Sequence, residues 1–268
     1  MLVAAVIAAL YFPIFVWLVQ SWFDNPYYGH GFLVLLVSGA IFWLRRRNLK
    51  VADHSLLGGA VLGAGLVLYI LTFIWGIQSL AAISFIVVVL GTVAYLSGTE
   101  RAKLFVFPTT FLIFMIPMPF LTSTSYHLQN IVTRSSAAIT YVLGIPTTIT
   151  GNQIEISTAS FTVGAPCSGI SSLISLSALA AILAFLIDGP FWKRTTLFLS
   201  AFPIALMANS LRVGAILVVA DRWGSEIAID FFHGFSGILL FLVAIALLFL
   251  VVRLLRCKFR TLKELAHG

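Results

Sequence analysis

The chain reads as an all-α integral membrane protein: a bundle of about eight transmembrane helices with a small extracytoplasmic amphipathic helix and β-hairpin. Three observations predict this. Of its 268 residues, 60% are hydrophobic and 9% charged, with a mean hydropathy of +1.08. A soluble domain carries about 25% charged residues. Apolar runs recur along the chain, most of them near the roughly 20 residues that cross a bilayer. The basic residues between those runs are clustered, as they are on the cytoplasmic side of membrane proteins.

The apolar runs predict spans at about 2–20, 30–44, 56–75, 78–97, 103–118, 169–187, 195–220 and 233–254. The second and fifth are short, which fits either a tilted or a partly re-entrant segment. The first, Leu2 to Val19, has no basic residue before it and no small-residue cleavage site after it. It is expected to span and not to be a removable signal peptide. Four basic groups follow: Arg45-Arg46-Arg47 with Lys50, Arg101 with Lys103, Lys193-Arg194, and a tail with Arg253, Arg256, Lys258, Arg260 and Lys263. Together they hold 13 of the 16 Lys and Arg. Eight spans put all four on one side, which the positive-inside rule makes the cytoplasm. Both termini are then cytoplasmic, in the inner or plasma membrane. The net charge of +7 is an orientation signal, and no nucleic-acid partner is expected.

The opposite side receives 21–29, 119–168 and 221–232. In the long middle segment, Leu121, Leu128, Ile131, Val132, Ile139 and Val142 alternate with Ser125, Gln129, Thr133 and Ser136 at helical spacing. This predicts an amphipathic helix on the outer surface. Two alternating runs around Gly151-Asn152 predict a hairpin, and Phe161-Thr162-Val163 can add a third strand. One polytopic domain is expected over 1–268, with an extracytoplasmic cap at about 119–168 and a basic cytoplasmic tail at about 255–268.

Topology filters the reactive residues. Cys167 and Cys257 fall on opposite sides and cannot pair. Cys167 stands in Ala165-Pro166-Cys167-Ser168-Gly169-Ile170, where a strand meets the first turn of a helix. A free cysteine is most often a small buried hydrophobe. Here Pro166 fixes the preceding backbone, Gly169 permits close approach, and N–H groups at the helix start, Ser168 among them, favour a thiolate or bind an oxyanion. Arg212 lies in the outer half of the seventh span, with Asn209 three residues earlier on the same face. An arginine near the centre of a span costs about 2.5–3.5 kcal/mol and is a functional signal by default; a snorkelling or structurally paired arginine is the alternative. His233 opens the last span, on the side assigned to Cys167. His127, on the surface helix, and His30, in Tyr27-Tyr28-Gly29-His30-Gly31, are alternative bases. No histidine or carboxylate pair has metal-ligand spacing, so neither metal nor cofactor is expected. Cys257, in the basic tail, is open to lipidation.

Ala165-Pro166-Cys167-Ser168-Gly169-Ile170, Asn209-Ser210-Leu211-Arg212-Val213 and His233-Gly234, in this order and spacing, resemble the exosortase/archaeosortase family. The Tyr-Gly-His-Gly element before the second span adds to the likeness, which covers nearly the whole chain. The resemblance implies a membrane-embedded cysteine transpeptidase or protease acting on membrane-anchored exported proteins. Their C-terminal sorting signals consist of a short motif (Pro-Glu-Pro in the best-known bacterial class), a hydrophobic helix and a basic tail. It further implies Cys167 as nucleophile, His233 as proton-transfer residue and Arg212 as third member. With the sequence ending soon after the last span, the additional soluble domain of some members is not expected. Other classes remain open: a transporter or channel with Arg212 in the substrate path, a scaffold presenting exported proteins, and a membrane acyltransferase.

Overall fold

The computed structural model describes residues 2–49, 55–164, 169–231 and 237–267. Its helices are α1 (Leu2–Leu10), α2 (Phe12–Asp24), α3 (Gly31–Arg45), α4 (Leu56–Ile74), α5 (Gln78–Ser97) and α6 (Thr99–Phe111). They continue with α7 (Pro119–Val142), α8 (Ile170–Leu186), α9 (Phe191–Trp223), α10 (Ser225–Phe231), α11 (Gly237–Leu254) and α12 (Leu262–His267). Between α7 and α8 lie β1 (Thr147–Thr150), β2 (Gln153–Ile156) and β3 (Ala159–Thr162). The chain divides into two compact units, Met1–Met118 with Phe259–Gly268, and Pro119–Lys258.

In the first unit, the expected span 2–20 is two helices bent by 62° around Tyr11. Pro13 has no backbone N–H to give to the preceding turn, which favours a break here. The break is stabilised from α4 and α5: Tyr69 Oη donates to the Leu10 carbonyl at 2.7 Å. The buried Tyr11 hydroxyl meets Ser84 Oγ at 2.8 Å. Helices α4 and α5 pack closely because Gly91 has no side chain; a Cβ there would lie 2.5 Å from the Leu62 nitrogen.

The expected span 30–44 is α3, whose 15 residues cover only about 22 Å. The expected span 103–118 is interrupted. Helix α6 carries Pro108 in its interior, and the chain tightens into a 3₁₀ turn at Leu112–Met115. Carbonyls freed in this irregular stretch need donors, and side chains of the same unit supply them. Trp22 Nε1 donates to Met115 O at 2.8 Å, Ser79 Oγ to Pro117 O at 2.6 Å, and His30 Nε2 to Phe114 O at 3.1 Å. Tyr28 Oη accepts from the Met118 N–H at 2.9 Å. At the C-terminus, Thr261 and Glu264 form a capping box that starts α12. Arg45 Nε and Asn48 Nδ2 donate to Leu265 O and Ala266 O, each at 2.7 Å, so the last carbonyls of that helix are satisfied.

Helix α9 is the spine of the second unit, 33 residues long. Its first half joins α8 and α11 around Leu176, Leu183, Leu197, Ala201 and Leu248. Its second half joins α7 and the sheet around Val132, Ile154, Val213 and Leu217. The strands form one antiparallel sheet in the order β1-β2-β3, with Thr150 opposite Gln153 and Ile156 opposite Ala159. Gly151, at φ +62°, takes the first central position of the β1–β2 turn, where positive φ belongs to glycine.

The face of α7 that packs carries hydroxyls as well as apolar side chains. Ser125, Thr133, Ser136 and Thr140 are buried, with Leu128 and Val132, whereas Ile131, Tyr141 and Val142 are exposed. Ser136 Oγ donates to Ser210 O on α9 at 3.0 Å.

Four helices among the described residues, α4, α5, α9 and α11, are long and apolar enough to cross a membrane, or five spans if α1 and α2 count as one. The 17-residue α8 is apolar but shorter. The chain is an all-α membrane protein of several spans.

Candidate active site

Cys167, Ser168 and His233 lie outside the described residues; the first described residues after them are Gly169 and Gly237. Gly169 is the N-cap of α8 and has the left-handed φ of +81°. An L-residue with a Cβ is strained there. Its packing is equally restrictive, since a Cβ would come within 3.1 Å of Asn209 Nδ2 and 3.2 Å of Asn209 Cβ. Asn209, 3% exposed, is buried on α9.

One turn further along α9 is Arg212, half-buried. Its guanidinium runs beside the first residue of α11: a Cβ on Gly237 would lie 3.6 Å from Nη2. Asn209 and Arg212 thus share a face, as their spacing predicts. They line a cavity of about 230 Å³ between α8, α9 and α11. Ala205 and Ala208 on α9 and Gly237 on α11 keep its walls thin. Leu240, Phe241 and Ala244 make its other end apolar.

The serines of α8 complete the lining. Ser171, Ser172 and Ser175 face the cavity, a feature the sequence reading did not single out. The signal was present as three hydroxyls within one turn and a half of an otherwise apolar helix. A guanidinium, an amide and several hydroxyls in one cavity can hold a negative charge or a polarised carbonyl.

The strands behind the site are tied to α7. Asn152 Nδ2 donates to Gln129 Oε1 at 2.5 Å, and Gln129 Nε2 donates to Ser125 Oγ at 2.9 Å. The Asn152 carbonyl receives the Val163 N–H at 2.9 Å, fixing the chain just before 165–168.

Neither alternative base is among the residues that line this cavity. His127 is exposed on α7, edge-on to Tyr126. It precedes Ser136, the α9-contacting residue, by about 14 Å of helix and half a turn. His30 belongs to the first unit, where it is the N-cap of α3 and holds Phe114. Its neighbour Tyr28 has its hydroxyl pKa raised by burial, partly offset by the bond from Met118. Cys257 is partly buried, with Sγ 3.7 Å from Leu255 O.

The family model for transmembrane exosortases (Exosortase_EpsH) matches residues 22–250. The chain belongs to the transmembrane exosortase family. No curated protein and no solved structure matches it. Exosortases as a family are membrane sorting transpeptidases that act on exported proteins carrying a sorting signal. The matched range includes Gly169, Asn209, Arg212 and Gly237, together with the positions of Cys167 and His233. In this exosortase-family chain, α1 and the docked α12 fall outside it.

Proposed function

We propose that the chain is a membrane cysteine transpeptidase or protease that cleaves C-terminal sorting signals of exported proteins through an acyl-thioester on Cys167. One observation carries this reading. Gly169, two residues after Cys167, abuts Asn209, while Gly237, four residues after His233, abuts Arg212. The first described residues after these two positions in the chain thus meet one turn of α9.

Within this reading the Cys167 thiolate attacks the scissile carbonyl, and Arg212 stabilises the resulting oxyanion. The C–N bond then breaks. The leaving amine takes its proton from His233, leaving the acyl group on sulfur. An incoming amine resolves the thioester by transpeptidation, or water resolves it by hydrolysis. Asn209, Ser168 and Gly169 support the geometry. Eight spans, with α3, α6 and α8 as short or broken crossings, put this site on the extracytoplasmic side and both termini in the cytoplasm. A substrate with a basic tail obeys the same charge rule, so its motif emerges level with the thiol. The residues as a whole form one polytopic domain with a cap at about 119–168.

The test is co-expression with signal-bearing proteins and mass spectrometry of their new C-termini. Wild type yields a shortened or acceptor-linked product, and Cys167→Ala yields only the precursor. Normal processing by that variant refutes the assignment.

A further inference from the structure

The first unit contains a cavity of its own, of about 430 Å³. Helix α1 contributes Val3, Ala4, Ile7 and Ala8 to it, and α5 contributes a strip running from Phe85 to Ser97. Phe42 and Leu49 close one end. The bend at Tyr11 leaves this wedge, because α1 diverges from the line of α2 by 62°.

Its shape selects the occupant. The strip on α5 is about 18 Å long at the rise of an α-helix, and the space beside it is about 8 Å across. A helix with side chains is about 10–12 Å across and does not fit it. A single hydrocarbon chain does. Polar lining is confined to Thr92 and Ser97. Thr92 Oγ1 already donates to Val88 O, and Ser97 lies at the end nearest the basic turn.

That end is positively charged. The lining residues Phe42 and Leu49 bracket the turn that carries Arg46 and Arg47, both exposed. Arg46 is anchored over the Trp43 ring, 3.6 Å from its centroid, and donates to the Trp43 carbonyl. The carboxylate just beyond, Glu100, is paired with Lys103 at 2.8 Å. A basic pocket at the end of an apolar cleft between membrane helices selects anionic headgroups.

We infer that this cavity binds one acyl chain of an anionic phospholipid, whose phosphate is held by Arg46 and Arg47. Native mass spectrometry of the detergent-purified full chain tests it, titrated with phosphatidylglycerol or phosphatidylcholine of identical acyl chains. Wild type retains a single phosphatidylglycerol at several-fold lower lipid concentration than phosphatidylcholine. Arg46→Gln with Arg47→Gln removes that preference. Ala8→Phe fills the slot from α1, a helix with no buried residue, and removes the adduct; Val89→Phe does the same from the opposite wall. Equal retention of both lipids by wild type, or an unchanged adduct in both filling variants, overturns the assignment. So does a dimer that the filling variants abolish, since the occupant is then a second copy of the chain.

Discussion

Gly169 and Asn209 are fitted to each other. The left-handed backbone of one and the buried amide of the other leave only 3.1 Å for a Cβ. Gly169→Ala therefore combines backbone strain of about 1–2 kcal/mol with a steric conflict. The expected result is a lower thermal unfolding midpoint and loss of substrate processing. Adding Asn209→Ala removes the 3.1 Å amide contact but leaves the 3.2 Å approach to the residue 209 Cβ and the backbone strain. The double variant is expected to regain part of the lost stability, as a double-mutant cycle in detergent measures.

Arg212 offers a fixed positive charge with planar donors. Arg212→Gln removes the charge and is expected to lower turnover about 100- to 1,000-fold, the usual effect of losing an oxyanion donor. Arg212→Lys keeps the charge but not the fork, and is expected to recover little. Rates of peptide release under saturating substrate are the measurement. Wild-type turnover in Arg212→Gln rules out a part in the chemistry.

The three histidines of the assigned outer side should separate by phenotype. His233→Ala is expected to lose about 100- to 10,000-fold in rate with little change in unfolding temperature. His127→Ala, at an exposed position, is expected to leave both unchanged. His30→Ala removes the donor to Phe114 and is expected to lower stability by about 1–3 kcal/mol, the cost of a carbonyl left without its partner. Turnover of His30→Ala at a permissive temperature then remains near wild type. A rate loss confined to His30→Ala would make that residue the base.

Tyr69→Phe tests the bend in the first unit. It removes one hydroxyl and leaves the Leu10 carbonyl without that donor. A loss of about 1 kcal/mol is expected, read as a shift of the thermal midpoint, with substrate processing retained.

Hydropathy made the regular crossings legible. The expected runs 56–75 and 78–97 correspond closely to α4 and α5, because long apolar runs without internal proline admit little besides helix. Breaks were less visible. Pro13 lies where proline also suits a helix start, so the run through Tyr11 read as continuous. Pro108 and the tight turn after it sit inside an apolar run whose composition does not change at the break. On α7 the alternation was legible, but spacing alone does not show that the hydroxyls of Ser125, Thr133 and Ser136 are buried along with Leu128 and Val132. At the site, the shared face of Asn209 and Arg212 follows from their spacing alone. The serines of α8 did not stand out, since serine in a membrane helix usually serves close packing.

Helix α9 also acts as a ruler. Lys193 and Arg212 are separated along it by about 28 Å at the helical rise, nearly the thickness of the hydrocarbon layer. Both ride on one helix, so any sliding of α9 along its axis that moves one of these charges moves the other by the same distance.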